Sequence, residues 1–432
     1  MNKLNKYFDN KLKIDWNLER SDESTIIFYY SSEVSEKAKN LFHDRVKDKK
    51  YFKIFNNLNI EDKDIIPVDE NYFHSLMKEY CDFYFPEPKD VKKIAITGTN
   101  GKTTSVDFIR QLLLIKDFSV LTIGTMGVYL NDKVVENFNL TSPHFIDFRK
   151  TLHKYNSQFE FLVVEASSHA IEQKRQFEIV YDQIGWTSFS QDHLDYHQTM
   201  ENYFNAKLKL QDQCQSPFVV SNKAGNFIKD FKNTKVDFDF KIRHSFLKLK
   251  YNLINLDIAS GILKKFNIEI EDKDVNKLSP TPGRFNVIEG KDQKVIVDFA
   301  HTPESLESVL LGIKDSFEDM VVCVFGCGGN RDKGKRPLMG QVAEKYSDYQ
   351  IVTTDNPRFE KPEDIIDDIL EGMSESHHIN IVDRKEAIEY AIENFPKSII
   401  LIAGKGHENY IDSKGAKKYF SDAEVAQKKL NA

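Results

Sequence analysis

Short apolar segments alternate with helical stretches along most of the chain. Each segment ends in a polar or glycine-containing loop, and the clearest are KKIAITG, FEFLVVE, KVIVDFA, MVVCVFG, YQIVTT and SIILIAG. Strands that are apolar on both faces are typical of parallel sheets covered by helices. The pattern therefore predicts an α/β fold, in which ligands bind beyond the carboxyl ends of the strands.

Two proline-containing segments, FPEPKD and LSPTPGRF, interrupt this pattern and predict domain boundaries. They divide the chain into residues 1–87, 88–281 and 282–432. The first part contains one convincing strand, STIIFYY, whereas the second and third parts carry the alternating pattern. A chain of 432 residues is too long for one ordinary hydrophobic core, which agrees with several domains.

Charge and composition narrow the class of protein. The net charge of −7 gives no sign of a nucleic-acid-binding surface, and no apolar stretch is long enough to span a membrane. The amino-terminal residues lack a signal-peptide core, and the four cysteines are too few and too scattered for a disulfide framework. Cys323 and Cys327 lie in an apolar segment, which favours buried thiols over a metal pair. We expect a cytoplasmic monomer that binds neither nucleic acid nor a membrane.

A candidate phosphate-binding loop, ITGTNGKTT, lies between a predicted strand and a predicted helix. Glycines allow backbone N–H groups to surround phosphate oxygens, and the start of a helix favours negative charge. A lysine can reach the β- and γ-phosphates of ATP, and the following threonine can ligate Mg²⁺. The full pattern has a glycine where Ile96 stands, so this is a shortened variant; the alternative is an ordinary glycine-containing turn. The candidate residues are Gly98, Thr99, Asn100, Gly101, Lys102, Thr103 and Thr104.

Two further residues extend this site towards a metal. Glu165 ends a buried strand, where a carboxylate is costly unless it meets a cation, and His193 lies in the loop SFSQDHLDYH. Taken singly, Glu165 could cap a helix and His193 could be an ordinary loop histidine. Together with Thr103 they form a reasonable ligand set for a Mg²⁺ that bridges ATP and a second anion.

Several longer motifs then point to a family. TGTNGKTT, EASSHA, DHLDYHQTMENYFNAK, PGRF, DFAHTP, FGCGGNRDKGKRP, TTDNPRFEKPEDI and IAGKGHE occur in the order found in Mur ligases. Residues 91–425 thus resemble this family of ATP-dependent enzymes, which add amino acids to the peptidoglycan precursor. The resemblance implies an α/β fold of three domains: a UDP-binding amino-terminal domain, a central P-loop ATPase sheet and a Rossmann-like carboxy-terminal domain.

The resemblance also implies a reaction. A substrate carboxylate attacks the γ-phosphate of ATP, and an incoming amine then displaces phosphate from the acyl phosphate. The motifs are most similar to those of the branch that adds the third residue, which implies UDP-MurNAc-L-Ala-D-Glu and meso-diaminopimelate as substrates. The implied cofactors are ATP, Mg²⁺ at two sites and a carbamylated lysine at Lys207. Seen without the family, Lys207 would be a solvated helix lysine.

Site residues follow from the same resemblance. The catalytic set is Lys102, Glu165, His193 and Lys207, of which the last three, with Thr103, are the implied metal ligands. Further contacts to ATP are implied for Asn255, Arg284, Asp298 and His301. The muramyl dipeptide is implied to bind Thr141, Ser142, Ser167, Gln173 and Arg175. Diaminopimelate is implied to bind Arg331, Asp355, Asn356, Arg358, Gly404 and Glu408.

The tetrad DNPR has a chemical rationale of its own. Meso-diaminopimelate differs from lysine by an extra carboxylate at the far end, and Arg358 offers a planar, always-charged fork for such a group. Asp355 and Asn356 can hold the neighbouring ammonium. The alternative is a loop arginine paired with a surface acid.

Departures from the family keep other functions open. The amino-terminal domain reproduces the uridine-binding pattern poorly, and the central domain is short between VVSN and HSFLKLKYNLIN. Leu249 replaces a usual glycine, and Asn330 replaces a common aspartate. The alternatives are a related amide ligase, similar to folylpolyglutamate synthase or cyanophycin synthetase, and a catalytically silent homologue.

Overall fold

The computed structural model of the chain describes residues 8–31, 34–138, 140–225, 227, 231–374 and 377–431. It forms two compact units. The first unit comprises Met1–Thr97, Lys116–Ile184 and Ala206–Ser216. The second unit comprises Gly98–Ile115, Gly185–Asn205 and Pro217–Ala432. No helix among the described residues is long and apolar enough to cross a membrane.

The first unit begins with a small parallel sheet. Its strands, in the order β1-β2-β3-β4, are β1 Lys13–Asp15, β2 Thr25–Tyr29, β3 Lys53–Asn56 and β4 Ile65–Pro67, with helices α1 Glu36–Val46 and α2 Glu70–Tyr84. Successive residues of β2 point to opposite faces. Ile27 joins a core with Phe42 of α1, while the Phe28 ring packs 5.3 Å from the Tyr80 ring of α2. The predicted strand STIIFYY is thus confirmed as β2.

A larger sheet of eight strands has the order β12-β11-β10-β5-β9-β6-β7-β8. The strands are β5 Lys92–Thr97, β6 Val120–Gly124, β7 Gly127–Leu130, β8 Lys133–Glu136, β9 Phe161–Glu165, β10 Gln183–Trp186, β11 Phe218–Ser221 and β12 Asn233–Val236. β7 and β8 pair antiparallel at one edge, and the pairs of β9 with β5 and β6 are parallel. β10 runs from the first unit into the second.

The helices of this part of the chain are α3 Lys102–Ile115, α4 Phe145–Lys154, α5 Ser168–Glu172, α6 Leu194–His197, α7 Met200–Leu208, α8 Ser245–Lys248, α9 Lys250–Lys265 and α10 Asp272–Val275. In the second unit α3 packs against α9, whose residues from Leu256 to Leu263 are buried. In the first unit the Trp16 indole donates a hydrogen bond of 2.7 Å to Asp147 of α4.

Aromatic rings fill the shortened central segment of the second unit. Trp186 is fully buried at the end of β10, and its ring lies 5.1 Å from Phe204, 5.3 Å from Phe218 and 4.7 Å from Phe231. Aromatic side chains bury large apolar areas, so a few of them can form a core between short elements. Leu249, the departure from the family's glycine, is buried at the start of α9 and packs against Gly312.

The second unit ends with a six-stranded sheet in the order β13-β14-β18-β15-β16-β17. Its strands are β13 Asn286–Glu289, β14 Lys294–Asp298, β15 Val321–Phe325, β16 Tyr349–Val352, β17 His378–Asn380 and β18 Ile399–Ala403, followed by the hairpin β19 Tyr410–Ser413 and β20 Ala416–Tyr419. Its helices are α11 Pro303–Ser316, α12 Lys335–Tyr346, α13 Pro362–Leu370, α14 Arg384–Asn394 and α15 Asp422–Leu430.

All neighbours in this sheet except β13 and β14 pair parallel. The loops that follow β14, β15, β16 and β18 therefore leave the same edge of the sheet. These are the loops that carry the predicted nucleotide and amino-acid residues. The six apolar segments predicted as strands are all strands, and Cys323 and Cys327 are buried free thiols, as predicted.

Candidate active site

The phosphate loop is shaped by two glycines. Gly98 and Gly101 have φ angles of +145° and +88°, in a region that other residues rarely adopt. A Cβ on Gly98 would lie 1.9 Å from Oγ1 of Thr187, and one on Gly101 would lie 2.3 Å from Oδ1 of Asn255. The turn from β5 into α3 can therefore close only with glycine at these two positions.

The lysine of the loop folds back over it. Nζ of Lys102 donates hydrogen bonds of 2.8 Å to the carbonyl oxygens of Gly98 and Thr99. The ammonium thus lies beside the first turn of α3, a helix of 14 residues whose N-terminus favours an anion. Thr103 and Thr104 follow in this turn and are buried. The loop offers the backbone groups and the cation that a polyphosphate requires.

Side chains from other elements hold the loop in place. Ser188, just after β10, accepts a hydrogen bond of 2.9 Å from the backbone N–H of Asn100, and Thr187 donates to the Asn100 carbonyl oxygen. Oδ1 of Asn255 in α9 accepts a hydrogen bond of 3.1 Å from the Ser105 hydroxyl, and the buried Nδ2 of Asn255 has no hydrogen-bond partner among the described residues. Sequence reasoning missed Thr187 and Ser188, because nothing in WTSFSQ distinguishes them from ordinary loop residues.

The loop around His193 gathers charged groups in the second unit. Oδ2 of Asp192 lies 3.4 Å from Nε2 of His193 and 3.8 Å from Nε2 of His301, and Oδ1 lies 3.6 Å from Nζ of Lys335. Burial would raise the pKa of Asp192, but the neighbouring His301 imidazole and the charge of Lys335 hold that pKa well below its usual range. Asp192 is therefore a buried anion that orients His193.

The predicted nucleotide residues of the carboxy-terminal part lie at the end of β14. The Asp298 carboxylate accepts hydrogen bonds of 2.7 Å from the backbone N–H groups of Phe285 and Ala300, and burial raises its pKa. The Arg284 guanidinium lies 4.1 Å from the centre of the Phe299 ring. Asp298 thus fastens the PGRF loop to the end of β14.

The phosphate loop contacts the start of α11 within the second unit. Nδ2 of Asn100 donates a hydrogen bond of 3.1 Å to Oγ1 of Thr302, next to the predicted nucleotide residue His301. The loops after β5 and β14 are therefore neighbours in the second unit.

The predicted amino-acid pocket forms where the loops after β15, β16 and β18 meet. Oδ1 of Asp355 accepts 2.6 Å from the backbone N–H of Asn356, whose Nδ2 donates 2.8 Å to Oε2 of Glu408. Gly404 has φ +116°, and a Cβ there would lie 2.8 Å from Oδ2 of Asp355. Four of the six predicted residues thus lie together.

The two predicted arginines of this pocket differ in how they are held. Arg358 has φ +51°, and its Nη1 donates 2.8 Å to the carbonyl oxygen of Gly329 on the loop after β15. Arg331, on the same loop, is exposed. Asn330 lies between Gly329 and Arg331 and accepts a hydrogen bond of 3.0 Å from the backbone N–H of Phe359. The loop after β15 is therefore still held to the loop after β16, although Asn330 replaces the aspartate that is common in the family.

In the first unit, Glu165 ends β9 and is buried. Its carboxylate accepts hydrogen bonds of 2.8 and 3.0 Å from the backbone N–H and the hydroxyl of Thr125, whose Oγ1 lies 3.1 Å from Oγ1 of Thr141 and can accept from it. A Cβ on Gly124 would lie 2.3 Å from Oε1 of Glu165. A hydroxyl network thus surrounds the strand-end carboxylate.

The predicted dipeptide residues cluster beside Glu165. Ser142 donates 2.7 Å to the Glu165 carbonyl oxygen, and Arg175 donates 3.0 Å to the Ser142 carbonyl oxygen and 3.0 Å to Oε1 of Gln173. Ser167 caps α5 by accepting from the backbone N–H of Ala170. Hydroxyl groups and a forked cation therefore gather at the end of β9.

Lys207 lies on α7 with only 1% of its surface exposed, so its interpretation from the residues alone as a solvated lysine is wrong. Lys207 and Glu165 belong to the first unit, and Thr103 and His193 to the second. Within the described part of the chain, no group of three or more His, Cys, Asp or Glu side chains is placed to hold a metal ion.

Comparison with known proteins identifies the family. A profile described as "Mur ligase middle domain" matches residues 96–288, and one described as "Mur ligase, glutamate ligase domain" matches residues 283–406. This chain belongs to the Mur ligase family. The family resemblance of the motifs and the α/β architecture it implied are thereby confirmed.

Individual relatives agree with this assignment. The UDP-N-acetylmuramoyl-L-alanyl-D-glutamate–2,6-diaminopimelate ligase of Fusobacterium nucleatum is 38% identical over 398 aligned residues, covering 83% of this chain and 81% of the relative. The enzyme of the same name from Aquifex aeolicus is 36% identical, covering 84% of this chain and 82% of the relative. A solved structure of a ligase with this name superimposes with a TM-score of 0.61 at 26% identity, covering 97% of this chain and 94% of that chain.

Proposed function

We propose that this Mur ligase joins meso-diaminopimelate to UDP-MurNAc-L-Ala-D-Glu and converts ATP to ADP and phosphate. The observation that carries the proposal is that Asp355, Asn356, Gly404 and Glu408 contact one another where the loops after β16 and β18 meet, with Arg358 on the first of these loops. Two curated relatives at 36% and 38% identity are named for this reaction. A forked cation beside carboxylates matches an amino acid whose side chain ends in both an ammonium and a carboxylate.

The first step is phosphoryl transfer. A carboxylate oxygen of the dipeptide attacks the γ-phosphorus of ATP, the bond to the β-γ bridging oxygen breaks, and ADP leaves. Lys102 lies over the phosphate loop, where its charge offsets the negative charge of the transferred group. The loop's backbone N–H groups and the α3 N-terminus hold the remaining phosphates.

The donor types present suit magnesium. In the second unit the Thr103 hydroxyl and the His193 imidazole are donors that would hold Mg²⁺, and in the first unit the Glu165 carboxylate and a carbamylated Lys207 would offer it anionic oxygens. The metal would neutralise phosphoryl charge. The burial of Lys207 supports its role, because a lysine on the surface would remain a strongly hydrated ammonium.

The second step forms the amide. The Arg175 fork and the hydroxyls of Thr141, Ser142 and Ser167 orient the dipeptide, and the pocket around Arg358 orients the incoming amine. The amine attacks the carbonyl carbon of the acyl phosphate, phosphate leaves, and the amine loses a proton. Most of the rate enhancement comes from positioning the two substrates. Asn255, Arg284, Asp298 and His301 complete the nucleotide site.

The wider assignment follows from the same proposal. Residues 1–87 would form the UDP-binding domain, residues 88–281 the ATPase domain, and residues 282–432 the domain that binds the amino acid. The enzyme would act in the cytoplasm, because its substrates are soluble precursors, and we propose that it acts as a monomer.

The decisive measurement is ADP release by the purified chain with UDP-MurNAc-L-Ala-D-Glu and a panel of amino acids. We expect turnover with meso-diaminopimelate and much less with L-lysine, which lacks the distal carboxylate. Preferred use of lysine would overturn the assignment of the amino acid. Turnover of folate or of a poly-amino-acid substrate instead would make the chain a different amide ligase, and no turnover on any acceptor would make it a silent homologue.

A further inference from the structure

Lys405, in the loop after β18, is a fully buried lysine with 0% of its surface exposed. An isolated ammonium is costly in the interior of a protein, so its partners define its purpose. Nζ lies 3.2 Å from Oδ1 of Asn356 and 3.4 Å from Oε2 of Glu408. Both partners belong to the predicted amino-acid pocket, and no predicted role covers Lys405 itself.

These contacts fix the Glu408 carboxylate from one side. Oε2 receives Nδ2 of Asn356 at 2.8 Å as well as the Lys405 ammonium, whereas Oε1 has no partner among the described residues. The Glu408 side chain is 22% exposed. Two donors therefore hold Oε2 in place, and Oε1 is left to accept from an ammonium group.

The same contacts occupy the Asn356 amide. Oδ1 accepts from Lys405 and also, at 2.9 Å, from the backbone N–H of Asp412 in the β19–β20 hairpin. A carbonyl oxygen has two lone pairs, so both are used within the chain. Asn356 therefore links Lys405 to the hairpin, and the Glu408 carboxylate is the better acceptor for an ammonium group of the substrate.

The β19–β20 hairpin also holds the backbone of Arg358. The backbone N–H of Arg358 donates 2.9 Å to the carbonyl oxygen of Asp412, and its carbonyl oxygen accepts 2.7 Å from the N–H of Lys414. Arg358 needs such support, because a non-glycine residue at φ +51° is disfavoured. The chain of contacts runs from Lys405 through Asn356 and Asp412 to the guanidinium.

We propose that Lys405 is a positioning residue for the amino-acid substrate, whose ammonium orients the Glu408 carboxylate and, through Asn356 and the hairpin, the Arg358 guanidinium. The inference rests on the proposed function for the identity of that amino acid. A buried ion pair is a weak source of stability compared with packed apolar groups, so its main effect is on orientation.

The test compares Lys405→Met and Lys405→Gln with the wild type by ADP release, varying one substrate at a time. We expect KM for meso-diaminopimelate to rise about 10- to 100-fold, the loss expected for a hydrogen bond to a charged group. KM for ATP and for UDP-MurNAc-L-Ala-D-Glu should change less than about twofold, because the side-chain hydrogen bonds of Lys405 in the described part of the chain go to Asn356 and Glu408. Lys418→Met, an exposed lysine on β20, is the matched control and should behave as the wild type.

A double variant separates orientation from general damage. If Lys405 acts through Glu408, Lys405→Met combined with Glu408→Gln should raise KM for the amino acid little more than Glu408→Gln alone. Equal changes in all three KM values, full additivity, or variants that no longer bind ADP would show a purely structural role and overturn the proposal. An unchanged KM for the amino acid would do the same.

The wild-type measurement distinguishes failure of the proposed function from failure of the role proposed for Lys405. If the wild type uses another amino acid, the proposed function fails, and the same KM comparison made with that amino acid still decides the role of Lys405.

Discussion

The phosphate loop and the amino-acid pocket, both in the second unit, are built in different ways. The phosphate loop is formed by backbone: two glycines at positive φ leave no space for a Cβ, and Lys102 bonds to carbonyl oxygens of the same loop. The amino-acid pocket is formed by side chains from three loops, joined by the Asn356 amide and the Lys405 ammonium. In the proposed function the first would hold the phosphates of ATP, which many enzymes use, and the second would distinguish one amino acid from another.

The two constructions differ in how they should fail. A site formed by backbone should lose function when its space or its charge is altered, and turnover should fall equally with every amino-acid substrate. A side-chain site should lose discrimination first, since the nucleotide is held elsewhere. Four predictions test this difference.

The largest effect is expected for Lys102→Ala. Removing the charge that offsets the transferred phosphoryl group should reduce kcat by about 1,000-fold or more with every amino acid, as measured by ADP release. Lys265→Ala, on the exposed face of α9, should be near wild type. Full activity of Lys102→Ala would refute the assignment of the phosphate loop.

Gly101→Ala should come next. The new methyl group meets Asn255 at 2.3 Å, and φ +88° adds backbone strain of about 1–3 kcal/mol. We expect a lower melting temperature and a KM for ATP raised about 10-fold or more, the cost of a displaced phosphate contact. Gly225→Ala is the matched control, because Gly225 has φ +94° but no atom within 4 Å of its Cβ position. An equal rise in KM for ATP in both variants would show that the contact with Asn255 is not the cause.

Arg358→Ala should affect the other site selectively. Loss of the guanidinium should raise KM for meso-diaminopimelate about 100-fold, while KM for ATP stays near that of the wild type. Arg358→Lys should recover only part of the loss, because an ammonium lacks the planar fork. Unchanged use of diaminopimelate by Arg358→Ala would show that the selector lies elsewhere.

The smallest effect concerns acid stability, and it arises in the loop after β18. Burial, reinforced by the charge of Arg284, lowers the pKa of His407 from 6.5 to about 4. The unfolded chain therefore takes up a proton first as the pH falls, so stability is retained above about pH 6.5 and lost towards pH 4. His407→Asn should reduce the slope of unfolding free energy against pH by up to about 1.4 kcal/mol per pH unit. Denaturant unfolding at several pH values measures this slope, and equal slopes would contradict the buried, neutral histidine.

The same contrast explains what the sequence could predict. The phosphate loop follows from glycine spacing next to a long apolar strand, and the parallel sheet follows from strands such as SIILIAG. The four-stranded amino-terminal sheet could not be foreseen in full, because β1 and β4 have only three residues each and carry too short a pattern.

Residues that act through partners distant in sequence were also beyond reach. Lys405 is 49 residues from Asn356, and Ser188 is 88 residues from Asn100. Neither stands out by residue type or spacing, since lysine and serine are common in loops. Only the fold brings them to the groups that they orient. Gly101 and Lys102, in contrast, are neighbours in the chain and can be recognised together as a motif.

The aromatic core around Trp186 gives the molecule an intrinsic optical reporter. The chain has two tryptophans, Trp16 in the first unit and Trp186 in the second. In a Trp16→Phe variant all indole emission would come from a ring enclosed by phenylalanines at the end of β10, two residues before Ser188, which accepts a hydrogen bond from Asn100 of the phosphate loop. Nucleotide binding and unfolding of the second unit could then be followed by fluorescence without attaching a dye.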